Sequence, residues 1–273
     1  MKTVTNEIEM LQQILLENAI DPHNPLTSIR ILAKYLHQYG CDKPKIEATL
    51  QQYMDSHRES LRLDPLVWGR RLTSAVNYTV KHSPKLIYID HVTVTETELQ
   101  RISALNNDNR EKLAFSYLVH SKINNKKYNN ELYDVYTPTS DIIKEAECNK
   151  PVRPPSGKRT LARAVRKENP LLAISDLVQA GYLEQTRSIG KNTKKTVLFA
   201  DEHSPAVFRI DDFNHYMNYY LEWRYKAVAR CPACNDWVRT TTGRTKYCLA
   251  CRKEKEKQAK RESWHRNKAN YKD

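Results

Sequence analysis

Glycine is scarce in this sequence, with 6 among 273 residues. So small a supply argues against a β-sandwich full of tight turns and favours helices. No stretch is long and apolar enough to span a bilayer. The opening MKTVTNEIEM has no apolar h-region and no small-residue cleavage site, so no secretory signal is read there. The expectation is a cytoplasmic protein with no membrane partner. Missing too are the loops and helices that mark common active sites: there is no G-x-x-x-x-G-K-[ST], no G-x-G-x-x-G and no H-E-x-x-H. The reading is of a binding protein, not an enzyme, with no small-molecule substrate.

What the sequence does have is positive charge. Lys and Arg total 45 against 32 acidic residues, a formal charge of +13. Such an excess concerns partners, not fold, and it points to a polyanion. Solubility alone is the bland explanation. The charge is uneven, however. Between 252 and 272, Arg252, Lys253, Lys255, Lys257, Lys260, Arg261, Arg266, Lys268 and Lys272 face only Glu254, Glu256 and Glu262. Hydrophobic residues make up 40%, enough for packed cores and against global disorder.

Apolar spacing sets out the first region, 1–84, as a helical domain. Ile8, Leu11, Ile14, Leu15 and Leu16 fall largely on one helical face, as do Ile29, Leu32, Ala33 and Leu36, then Ile46, Leu50, Tyr53 and Met54. A fourth helix runs from about Leu66 to Val80. The runs Leu86–Ile89 and Val92–Val94 are rich in strand formers. Thr95 and Glu98 have capping-box spacing, which predicts a helix start. That helix passes Leu99 and Ile102, pauses near Asn106 and Asn107, and continues through Leu113, Phe115 and Leu118. A short helix follows Thr137-Pro138, and another, kinked or broken at Pro170, covers Lys158 to Ala180. Tyr182–Arg187 and Thr193–Phe199 read as a hairpin.

Helix, short helix, helix, strand, turn, strand is an order that resembles a winged helix-turn-helix domain, here over 85–205. The resemblance rests on pattern and not on a specific motif. It implies a third helix in the major groove and a hairpin wing, with the strand near Ile87–Val94 able to pair with the wing. The charges agree: Lys158, Arg159, Arg163, Arg166 and Lys167 start the third helix, and Arg187, Lys191, Lys194 and Lys195 decorate the hairpin. Such groups would hold phosphates, and the arginines suit guanine edges. Domains of this shape also dock proteins.

The strongest signal is Cys231-Pro232-Ala233-Cys234 followed by Cys248-Leu249-Ala250-Cys251. Two C-x-x-C turns supply the four-sulfur tetrahedron of a closed structural zinc site. Asn235 replaces the glycine such knuckles often carry, since asparagine tolerates the left-handed conformation. Between the pairs, Trp237–Arg239 and Arg244–Tyr247 read as a two-stranded ribbon. An iron–sulfur centre also accepts four cysteines and stays open. Cys41 and Cys148 have no partner at ligand spacing and read as idle thiols.

The fold class expected is mainly α with small β: the helical N-terminal domain, the winged-helix-like middle, a connecting segment 206–230 whose aromatics fill a core, a zinc ribbon 231–251 and a basic tail 252–273. The ribbon and tail resemble zinc-ribbon ends of small prophage and mobile-element proteins of Gram-positive bacteria, which implies a nucleic-acid role. Arg244, Lys246, Arg252 and Lys253 would add phosphate contacts. The function expected is DNA binding in regulation or replication, duplex DNA favoured. An adaptor that docks on a protein through its helical domain is the alternative. A His-Asn-His nuclease, suggested by His265 and Asn267, is disfavoured because the ribbon interior holds only Asp236 as an acid and no histidine.

Overall fold

A computed structural model describes residues 6–61, 64–129, 132–148, 168–186, 194–240 and 246–270, with side chains except at 60, 61 and 265–270. The chain divides into two units, 1–90 and 91–273.

The first unit is built from α1 (Glu7–Glu17), α2 (Pro25–Gln38), α3 (Lys43–Leu61) and α4 (Pro65–His82). Its helix starts follow local chemistry. The Asn6 side chain accepts the Glu9 N–H at 3.0 Å, and Asp64 accepts the Leu66 N–H at 2.9 Å just before Pro65. α2 packs against each of the other three, and Leu11, Ile14, Ile29, Leu32, Ile46, Leu50 and Val76 close the core. The expected strand at 86–89 is not one. Tyr88 makes only an isolated bridge to Asn6. The segment is held by Glu7 instead: its N–H donates to the Ile87 carbonyl at 2.8 Å, and its buried carboxylate accepts the Ile87 N–H and the Lys34 ammonium, each at 2.8 Å. The unit's exit is thereby tied to its first helix.

The second unit is organised around α6 (Asp108–Tyr128), which starts at the cap Asn107. α6 is buried on every side from Glu111 to Asn124, although its sequence is too polar for such a helix. The contradiction is resolved by partners. Glu111 accepts the Tyr220 hydroxyl at 2.6 Å and the Arg224 Nε at 3.2 Å. His120 contacts Glu145 at 2.8 Å and Thr137 at 3.0 Å. Lys122 lies 2.8 Å from Glu98, both side chains fully buried, and also donates to the Thr93 carbonyl at 2.8 Å. Phe115 meets Tyr220 of α9 (Tyr216–Tyr225) with ring centroids 4.9 Å apart. The aromatics of 213–225 therefore do fill a core at Tyr216 and Tyr220.

β1 (Val92–Thr95) precedes α5 (Glu96–Ser103), and the expected capping box is present, with Glu98 accepting the Thr95 N–H at 2.9 Å. The expected pairing of this strand with the wing is corrected. β1 pairs antiparallel with β5 (Ala206–Ile210), Val92 opposite Ile210 and Val94 opposite Phe208. Residues 206–230 are accordingly no mere connector: they hold β5, α9 and β6 (Val228–Arg230).

After α6 come β2 (Asp134–Val135), α7 (Thr139–Glu145), α8 (Pro170–Gln179), β3 (Leu183–Gln185) and β4 (Lys195–Val197), and the antiparallel sheet has the order β2-β4-β3. Asp134 pins this sheet. Its buried carboxylate accepts Lys194 at 2.6 Å and the Thr196 hydroxyl at 2.7 Å, while its carbonyl accepts the Asn124 amide at 3.1 Å. Burial alone would raise the Asp134 pKa; the hydrogen bonds from Lys194 and Thr196 outweigh it and hold the group below the usual carboxylate range. A carboxylate whose folded pKa is depressed contributes stability above its unfolded value, about 3.9, and loses it as pH falls through the folded value. Amide exchange in β3 and β4 should therefore stay slow down to about pH 4 and rise below it. Asp134→Asn should exchange faster at neutral pH and show little of that acid response.

Candidate metal centre

β6 ends at Arg230 and delivers Cys231. The chain turns through Pro232-Ala233 and returns as β7 (Trp237–Arg239), with Arg230 opposite Trp237. The turn is closed by Cys231 N–H to the Asp236 carbonyl and by Asn235 N–H to the Cys231 carbonyl, each at 2.8 Å. Asn235 has φ +61°, the left-handed conformation expected of it. One expectation changes: β7 pairs with β6, upstream of the first cysteine pair, and residues 246 and 247 are not strand. Residues 244 and 245 lie outside the described residues.

The second pair stands at the mouth of α10 (Leu249–Asn270). Cys251 falls in its first turn, and its N–H points to the Cys248 sulfur at 3.4 Å. The Cys248 N–H points to the Cys231 sulfur, also at 3.4 Å, which joins the two turns. Cys234 and Cys248 have sulfurs 3.6 Å apart, and all four sulfurs lie within 4.8 Å of one another. A metal–sulfur bond of about 2.3 Å in a tetrahedron sets sulfurs about 3.8 Å apart. The four cysteines therefore fit one metal ion. The N–H of Cys248 holds the Cys231 thiol down, at about 6, while Cys251 is pushed up by sharing a proton with the Cys248 sulfur. Sulfurs gathered this closely, with backbone N–H groups aimed at them, suit a cation and leave no open coordination position for a reacting molecule.

A ring of side chains supports the first turn. The Arg230 guanidinium lies 3.8 Å from the centre of the Trp237 ring and donates to the Asn235 carbonyl at 3.0 Å and to the Tyr219 hydroxyl at 2.9 Å. Tyr219 in turn donates to Asp211. Sequence reasoning missed this support; Arg230 sits next to the first ligand, but nothing in its spacing identifies its target. Lys255 of α10 donates to the Tyr247 hydroxyl at 2.7 Å and so holds the approach to the second turn.

The expected phosphate contacts fare unevenly. Lys158, Arg159, Arg163, Arg166, Lys167, Arg187, Lys191 and Arg244 lie outside the described residues. Lys194 is engaged with Asp134 and Lys195 is buried, so neither is a free charge on the outer face of the hairpin. Lys246, Arg252 and Lys253 are exposed and gather beside the second cysteine pair, Arg252 lying 3.7 Å from Glu256. α8, the part of the expected third helix that is described, carries no Lys or Arg; it exposes Leu171 and Leu172, and its Asp176 pairs with Arg110 at 2.6 Å. Among the described residues, the four cysteines are the only group of three or more metal-ligating side chains. Neither His265 nor Asn267 has a described side chain.

Comparison with known proteins gives no family-model match and no significant match to a curated protein or a solved structure.

Proposed function

We propose that this protein binds nucleic acid, duplex DNA in preference, with a structural zinc ion in the four-cysteine site, and serves regulation or replication. The observation that carries the reading is the start of a basic helix inside the metal site. Cys251 is both a ligand and part of the first turn of α10, so a bound ion fixes the direction in which Arg252, Lys253, Lys255 and Lys257 are presented. Zinc suits the set because four thiolates satisfy its tetrahedral preference and its task here is mechanical, not redox. The order α6, β2, α7, α8, β3, β4 with a β2-β4-β3 sheet supports a winged-helix-like reading.

A specific observation favours a second reading. The leucines on α8, with no basic neighbour on that helix, suit a protein contact better than a groove of DNA. Salt separates the two. Binding to phosphates weakens with a logarithmic slope of about 0.9 per phosphate neutralised, while a protein interface responds far less. Fluorescence anisotropy on a duplex, a single strand and an RNA at about 50 and 200 mM salt should show duplex affinity falling at least tenfold. Arg252→Gln with Lys253→Gln and Lys255→Gln should flatten the slope by about 2 to 3. Absence of duplex binding at the lower salt would remove the reading. Elemental analysis of the purified chain should find one zinc; iron would show as visible thiolate-to-metal absorption.

A further inference from the structure

We infer that the cleft between α8 and the start of α7 is a phosphate-binding pocket with Lys195 as its cationic floor. The cleft has a volume of about 430 Å³. Leu171, Ile174 and Val178 of α8 form an apolar wall; Thr139, Ser175 and Gln185 supply polar groups, and among the described residues no acidic one lines it.

The case begins with charge. Lys195 is 5% exposed, and its ammonium donates to the Thr139 hydroxyl at 3.0 Å. The Tyr117 ring lies 5.9 Å away. No ion pair reaches it among the described residues. Two paired lysines differ: buried Lys122 has Glu98 and half-buried Lys34 has Glu7, each at 2.8 Å. An ammonium taken out of water without a carboxylate is costly. Burial accordingly lowers the proton affinity of Lys195, with no neighbouring charge to offset it. A chain that keeps such a charge at the edge of a cleft has an anion to receive.

The donors select the anion. Lys195 has donors to spare beyond the one spent on Thr139, and the Thr139 hydroxyl, accepting from Lys195, has its own hydrogen free to donate. The Ser175 hydroxyl and the Gln185 amide complete a set spread around the opening. A tetrahedral oxyanion with several free oxygens uses such a set better than a flat carboxylate does. The oxyanion is either a backbone phosphate, a source that rests on the nucleic-acid reading, or free phosphate, which does not.

The test uses the full chain with its metal. Thermal melts are recorded in inorganic phosphate and in chloride at equal ionic strength and pH. Phosphate should raise the melting temperature of the parent saturably. Lys195→Met keeps the aliphatic stem and removes the charge; it should melt no lower than the parent in chloride, which shows it folded, and gain nothing from phosphate. Thr139→Val, with Lys195 retained, should weaken phosphate protection several-fold. If phosphate leaves the parent unchanged, or protects Lys195→Met equally, the pocket is refuted, and duplex binding by the parent would then stand on its own. With phosphate protection lost in Lys195→Met, a tenfold drop in its duplex affinity assigns the oxyanion to the nucleic-acid backbone; unchanged duplex affinity assigns it to free phosphate.

Discussion

Protein carrying Cys234→Ser is expected to leave purification without bound metal and with residues 228–251 unfolded. The size of the effect follows from how little else holds that region. Among the described residues of 231–251, only Cys231 and Val238 are buried. Two side chains do not offset the backbone entropy of some twenty residues, about 1 to 2 kcal/mol each. Metal binding worth about 10 to 16 kcal/mol in comparable zinc peptides closes that gap. Serine offers a hydroxyl that does not ionise near neutral pH, so the fourth donor is lost. Elemental analysis should fall from one ion per chain to none. Amide exchange should become fast across β6, β7 and the first turns of α10, while α1 to α4 keep their protection. Metal content equal to the parent's would sink the four-sulfur assignment. A chelator that removes the ion from the parent should reproduce the same exchange pattern, and adding the ion back should reverse it.

The second large effect is expected at Lys122→Met. Lys122 and Glu98 are buried together, and Glu98 also accepts the N–H groups of Thr95 and Asp201, at 2.9 and 2.8 Å. Removing the ammonium leaves a carboxylate in the core with its main counter-charge gone. Breaking a buried pair from one side costs about 3 to 5 kcal/mol. For a unit of this size that is a melting decrease of about 10 °C. Lys122→Met combined with Glu98→Gln should recover part of the loss, because the buried charge goes with its partner. A loss below about 1 kcal/mol for the single variant, typical of an exposed pair, would show that Glu98 and Lys122 are not sealed from water. The coupling matters to the architecture, since Lys122 on α6, Glu98 on α5 and the Thr93 carbonyl of β1 meet at this point.

Several features were legible in the sequence because their causes are local. Thr95 with Glu98 announces a helix start through backbone groups three residues apart. Asn235 announces a left-handed turn because its side chain tolerates one. The two C-x-x-C pairs announce convergence because thiolates at that spacing have a common use. What escaped has causes at long range. β1 pairs with β5 across more than a hundred residues, and no property of Val92–Val94 distinguishes Ile210 from a wing residue as partner. The burial of α6 is not legible in its sequence because Glu111, Lys112, His120 and Lys122 are polar, and local spacing does not reveal the distant partners that make such burial tolerable. The return of β7 to β6 was hidden in the same way, since Val228–Arg230 is too short a run to stand out before its partner is known.

The β1–β5 ladder also sets an order of events during synthesis. Residues 92–95 are made early, yet their hydrogen-bonding partners are among the residues 206–210. Until those emerge, the strand has an unsatisfied edge, and α5 and α6 must wait with it or hold by their own contacts. The first unit has no such debt, because Glu7 finds Ile87 within the same ninety residues. A growing chain should thus finish its helical N-terminal unit while the second remains open, and a ribosome stalled between the two strands would present an incomplete sheet to chaperones.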